Sequence, residues 1–271
     1  MKRFRRQLFT GCLGLTAATA GALWLHLRFR ARPDYAFLSG WVLLAGMFVL
    51  ALYNVRKKLP FLPLGKSETW LQTHIYLGFF TTFLFLAHLD FRLPRGGFEI
   101  TLAGLFVLVS GSGFLGLFFS RVLPRRLATR GGEAIFEKIP AQHHALRIAA
   151  ETLALGGEAK SPVIAEFYVK RLADFFSGPR NFWSHLVESR RPAGGLLAEL
   201  ADLRRVATEG DREKIDQFAR LVRQKDGLDY QRALQLTLRL WLFVHIPLTY
   251  GLMIFTVLHI VLVFAYSGGA R

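Results

Sequence analysis

The sequence holds a single cysteine, Cys12, in 271 residues. That excludes an intrachain disulfide framework, a four-thiolate zinc site and a cysteine-ligated iron–sulfur cluster built from this chain alone. Acidic residues are scarce too: 19 Asp+Glu stand against 35 Lys+Arg, a formal net charge of +16. No Gly-rich dinucleotide fingerprint and no phosphate-binding loop with its lysine occurs. No Cys-x-x-Cys-His occurs either, which excludes ordinary c-type haem attachment. Internal repeats, low-complexity tracts and alternating strand patterns are lacking.

Apolar residues are abundant instead. They make up 52% of the chain, and 25 of them are Phe. A soluble nucleic-acid binder of this charge would not have the positive mean hydropathy found here. The combination points to a membrane.

Five segments free of Asp, Glu, Lys and Arg are long enough to cross a hydrocarbon core of about 30 Å at about 1.5 Å per residue. They are Gln7–Leu27, Tyr35–Tyr53, Thr69–Leu89, Ile100–Ser120 and Leu240–Ala270. The expected fold is therefore an all-α membrane helix bundle, with spans one to four in 1–120, a helical insertion over 121–232 and the last span in 233–271. Arg5-Arg6 before the first apolar run also fits a secretory or twin-arginine signal. That run has spanning length, however, and its Ala-rich stretch, Ala17–Ala22, lies mid-run rather than at a cleavage site.

Basic residues near the span ends set the expected orientation. Lys2, Arg3, Arg5 and Arg6 open the chain, Arg56, Lys57, Lys58 and Lys66 follow span two, and Arg121, Arg125, Arg126 and Arg130 follow span four. The opposite loops hold Arg28, Arg30 and Arg32, then Arg92 and Arg95. The N-terminus and the 121–232 domain are placed in the cytoplasm and Ser267–Arg271 outside, in what reads as a bacterial inner membrane.

The insertion reads as helical. Ser161-Pro162 looks like an N-cap with proline in the first turn, and Ile164, Phe167, Tyr168, Leu172 and Phe175 then recur at helical spacing until Gly178-Pro179. Leu196, Leu197, Leu200 and Leu203 mark a second helix. Ile215, Phe218, Leu221 and Val222 mark a third, with Asp211 and Glu213 near its start. Asp229–Arg239 is expected to run on into span five.

Four of the eight histidines fall inside spans: His74 and His88 in the third, His245 and His259 in the fifth. Both pairs are 14 residues apart. At about 100° and 1.5 Å per residue, each pair lies on one helix face, separated by about 21 Å along the axis. If spans three to five each cross once, spans three and five run parallel, so His74 is level with His245 and His88 with His259. Two imidazoles facing each other at one level meet the need of six-coordinate haem iron, whose porphyrin leaves two axial positions. An unpartnered intramembrane histidine is costly, which argues against chance placement. Gly78 beyond His74 and Gly113 in the Ser110-Gly111-Ser112-Gly113 run leave room for a flat macrocycle. The competing readings are a proton or transition-metal path for the histidines and plain helix packing for the small residues. His26 reads as interfacial, and His143, His144 and His185 as solvated or locally hydrogen-bonded.

The four histidines and their spacing resemble the dihaem b-type membrane cytochromes. The arrangement also resembles the ferric-reductase-like transmembrane domain of ferric reductases and NADPH oxidases, without its flavin and nicotinamide domain. The same spacing is similar to cytochrome b of quinol-oxidising complexes, but no Pro-Glu-Trp-Tyr quinol-site motif occurs. The resemblance covers spans three to five. It implies His74, His88, His245 and His259 as axial ligands of two non-covalent haem b groups.

The expected function is transmembrane electron transfer by the membrane cytochrome subunit of a larger oxidoreductase. Cytochrome, iron–sulfur or flavoprotein subunits are the expected partners at the faces, and membrane quinone a further cofactor. Lys66, Arg239, Arg92 and Arg95 are candidate propionate partners, and Tyr76, Glu99, Asp90 and Tyr250 candidate quinone contacts. The alternatives are a quinol-oxidising or metal-reducing enzyme in its own right and a non-haem transporter or assembly scaffold. Nucleic-acid binding has little support, because the basic residues cluster at span ends.

Overall fold

The computed structural model describes residues 14, 16–17, 19–24, 26–29, 31, 34–58, 65–129, 135–156, 161–189 and 191–267. Much of the first predicted span lies outside them, as do Cys12, the basic N-terminus, Arg30, Arg32, Arg130 and residues 268–271. All regular structure is helical, and no strand occurs among the described residues.

Three helices are long and apolar enough to cross a membrane: Tyr35–Asn54 within α1 (Tyr35–Lys58), Gly97–Ala128 within α3 (Gly97–Thr129), and α6 (Glu209–Ser267) over Glu209–Tyr266. Between α1 and α3 lies α2 (Ser67–His88), the third predicted span. At 22 residues it has the length, but Gln72, Thr73, His74, Thr81 and Thr82 interrupt its apolar run with polar side chains. The described residues of 14–29 are helical as well.

The chain divides into two compact units. The first comprises Met1–Leu117 and Leu242–Arg271. Its core gathers Leu43, Met47, Leu84, Phe85, Phe106 and Leu252 from α1, α2, α3 and α6. Gly46 lets α1 and α2 approach closely: a Cβ there would lie 2.6 Å from Cγ2 of Thr81. Outward, Trp41, Phe48, Val107, Leu115, Ile254 and Val261 are exposed. Large apolar side chains in that number on helices whose backbone bonds are satisfied internally suit contact with lipid.

The second unit is Phe118–Trp241. Its core is built from Ala150 and Ala154 of α4 (Ile139–Leu155), the helical stretch 162–176, Leu200 of α5 (Arg191–Val206), and Ile215, Phe218 and Val222 of α6. The apolar period read from the sequence is thus the buried face: Ile164, Tyr168, Leu172 and Phe175 are all in the core, and Phe167 packs against it. Two local features differ from expectation. Ser161 stands at the N-cap, but its hydroxyl donates to Asp211 (3.0 Å) instead of capping its own helix. The stretch is also interrupted by a five-residue π segment, Tyr168–Leu172. The third predicted helix and Asp229–Arg239 are one continuous element, because nothing between Glu209 and Ser267 breaks the hydrogen-bond ladder except the missing donor of Pro247.

Candidate functional site: two histidine-lined cavities

The first unit contains two apolar cavities, and each is lined by one histidine of α2 and one of α6. His88 and His259 line a cavity of about 380 Å³ together with Gly40, Phe85, Phe106 and Glu99. His74 and His245 line a smaller one of about 120 Å³ with Gly78, Phe79, Gly113 and Phe114. Met47, Phe106 and Leu252 line both, so single side chains separate them. The ring of Phe106 stacks on Phe85 with centroids 4.0 Å apart.

The imidazoles are held from the sides. Ser39 of α1 lies 2.9 Å from Nδ1 of His88, and Ser112 of α3 lies 2.7 Å from Nδ1 of His245. The ring of His74 leans on Tyr53 at 5.0 Å, and that of His259 stacks on Phe98 at 6.4 Å. Gly78 leaves open space where a side chain would project, and a Cβ on Gly113 would meet Cε1 of His245 at 3.8 Å. Around His245, Thr249 donates to its carbonyl (2.8 Å), while Pro247 two residues on cannot donate into the helix. Sequence reasoning missed Ser39, Gly40 and Pro247 here, although Ser39-Gly40 and Pro247 inside apolar runs were visible signals.

The remaining candidates fall as follows. Glu99 lines the larger cavity, and Tyr250 accepts a hydrogen bond from Asn54 (3.0 Å). Asp90 and Phe91 both adopt left-handed backbone in the turn after α2, at φ 50° and 56°. Asp90 pairs with exposed Arg92 at 3.6 Å. Arg239 is engaged in the second unit by Glu137 and lies over the ring of Phe136. His26 is buried: its Nδ1 lies 2.9 Å from the Tyr35 hydroxyl, and Phe91 packs edge-on against its ring.

A second polar cluster, unforeseen in the sequence, lies within 118–241. Lys225 and Asp229, one turn apart on α6, form an ion pair with side chains only 1% exposed. Lys225 also sits over the ring of Phe175 at 4.4 Å. Burial pushes the lysine down and the aspartate up from their ordinary pKa values, each against the pull of its partner. His143 Nε2 is 3.4 Å from the second oxygen of Asp229. Burial, then the charges of Lys225 and Arg232, push His143 down to about 4. His185 is likewise buried, edge-on to Tyr230, and only His144 of these three is exposed.

No group of three or more His, Cys, Asp or Glu side chains that would hold a metal ion occurs among the described residues. No protein-family model, curated protein or solved structure matches the chain.

Proposed function

We propose that this protein is a membrane cytochrome that carries single electrons across the bilayer through two b-type haems, one held between His74 and His245 and the other between His88 and His259. The observation that carries the reading is the pairing itself: each apolar cavity is lined by one α2 and one α6 histidine. A bare metal ion is usually held by three or four protein donors, whereas a porphyrin brings four of its own and asks the protein for two.

The residues present fit such a group. The donors are imidazoles, the walls are apolar, and Gly78 and Gly113 leave a smooth surface beside the inner pair. The larger cavity falls within the usual range of small-molecule sites, about 300–1,000 Å³, and the smaller one, at about 120 Å³, lies below it. Haem, when bound, supplies reversible one-electron iron chemistry.

The chain does the rest. His74 with His245, and His88 with His259, would hold the two groups, and a pair of histidine ligands to each would leave no place for oxygen or substrate at the metal. Phe106, stacked on Phe85, gives an apolar wall to both cavities. Arg92 and Arg95 on the outer side and Lys66 on the inner side offer cations for propionates. Five spans, the N-terminus and the 121–232 domain in the cytoplasm, a bacterial inner membrane and redox partner subunits at the faces complete the reading. Oxidation of membrane quinol at the outer site is the second reading. It is favoured by Glu99, a carboxylate at the larger cavity suited to accept a proton.

The test is the reduced-minus-oxidised visible spectrum of the full-length chain purified in detergent, with a pyridine haemochrome count. About two low-spin haems per chain are expected. A colourless chain after expression with ample haem would leave the transporter or scaffold reading.

A further inference from the structure

The hydrogen bonding of two serines fixes which nitrogen of each braced histidine carries the hydrogen. A serine hydroxyl has one hydrogen. In Ser39 the oxygen lies 2.8 Å from the Tyr35 carbonyl and 3.1 Å from that of Ala36, one turn back in α1. In Ser112 it lies 2.8 Å from the Val109 carbonyl in α3. Two oxygens at such distances repel unless a hydrogen lies between them, so each hydroxyl donates to its own helix. Each Oγ then has only lone pairs to offer the imidazole nearby. His88 Nδ1 at 2.9 Å from Ser39 and His245 Nδ1 at 2.7 Å from Ser112 must therefore be the donors.

We infer that Ser39 and Ser112 are positioning residues that lock His88 and His245 as Nδ1–H tautomers, so that Nε2 carries the lone pair an axial bond would use; this rests on the haem reading above. The two serines come from different helices, α1 and α3, and brace one histidine of each cavity, on α2 in one and on α6 in the other. The other member of each pair, His259 or His74, rests against an aromatic ring. Each site thus contains one ligand fixed in tautomer and rotation. A proton relay asks for the opposite, an imidazole able to exchange Nδ1–H and Nε2–H forms.

An Nδ1–H bond to an acceptor raises the basicity of the ligating nitrogen and favours the ferric state. Ser39→Ala is expected to raise the midpoint potential of the haem bound by His88 and His259, and Ser112→Ala that of the haem bound by His74 and His245. Each is expected to weaken haem retention at its own site by about ten- to a hundredfold. Ser→Thr at either position keeps the hydroxyl and should keep the potential near the wild-type value.

The same full-length chain, labelled with ¹⁵N-histidine and expressed without haem supply, gives a readout independent of the cofactor. Nδ1-protonated resonances are expected for His88 and His245, lost in the corresponding Ser→Ala variant and present in Ser→Thr. Nε2–H tautomers in the wild-type chain, or Ser→Ala variants whose haem potentials do not move, would overturn the assignment. A chain that shows the Nδ1–H tautomers yet binds no haem would overturn the electron-transfer reading and leave the serine bonds standing.

Discussion

Gly40 of α1 lies beside the imidazole of His88, where a Cβ would reach within 3.3 Å of Cε1. The backbone of α1 therefore helps to set where that ring can stand. Gly40→Ala is expected to push His88 off its position and, on the proposed function, to reduce the haem content of the His88–His259 site. The strain is about 1–3 kcal/mol, partly offset by about 1 kcal/mol of better helix propensity. Gly113→Ala, with 3.8 Å to His245, should leave the inner site occupied. Haem content and low-spin spectra of the two variants, measured side by side, check the contrast.

The contact between α1 and α2 at Gly46 is tighter still. Thr81 is 2% exposed and its hydroxyl is spent on the Gly78 carbonyl at 3.0 Å, so its methyl cannot swing away from a Cβ at 2.6 Å. Gly46→Ala should destabilise the first unit by about 1–3 kcal/mol. Adding Thr81→Ser, which removes that methyl and keeps the hydroxyl, should recover most of the loss in detergent unfolding. Equal stability of the single and double variants would contradict the contact.

In the second unit, removing one partner of the buried ion pair leaves the other charged in an apolar core. Lys225→Met is expected to cost about 3–5 kcal/mol, while Lys225→Met with Asp229→Leu should be far less destabilised. Limited proteolysis of the full chain within 118–241 reads the difference. If the double variant is as labile as the single, the cost is not that of the uncompensated aspartate.

His143 adds a pH dependence of known sign. Its folded pKa is pushed down to about 4, so below pH 6.5 the unfolded chain binds the proton that the folded chain refuses. The stability of the second unit should therefore hold above pH 6.5 and decline as pH falls towards 4. His143→Gln should flatten that decline, which a thermal melt across the window would show.

Much of the second unit's packing was legible in the sequence because helical period survives translation into packing. Ile164, Tyr168, Leu172 and Phe175 were read as one face and are one core, while His74 and His88, 14 residues apart on α2, each line a cavity with one histidine of α6. Gly78 and Gly113 were likewise marked and do line the inner cavity. Partners across helices were not legible. Whether Ser39 or Gly40 meets His88 depends on how α1 is rotated, and one sequence fixes no rotation between helices. Lys225 and Asp229 have the i,i+4 spacing of an ordinary surface pair. Only the rings and helices packed over them put them inside. The π segment at Tyr168–Leu172 was hidden as well, since its buried residues Tyr168 and Leu172 keep the four-residue spacing of an ordinary α-helix.

The pairing of the histidines is the centre of the account, and haem counts of double variants test it most directly. His74→Ala with His245→Ala removes both ligands of one site and should leave about one low-spin haem per chain, as should His88→Ala with His259→Ala. His74→Ala with His88→Ala takes one ligand from each site and should leave none in low-spin form. Equal haem content in all three doubles, or a full complement of two in any of them, would contradict the paired sites.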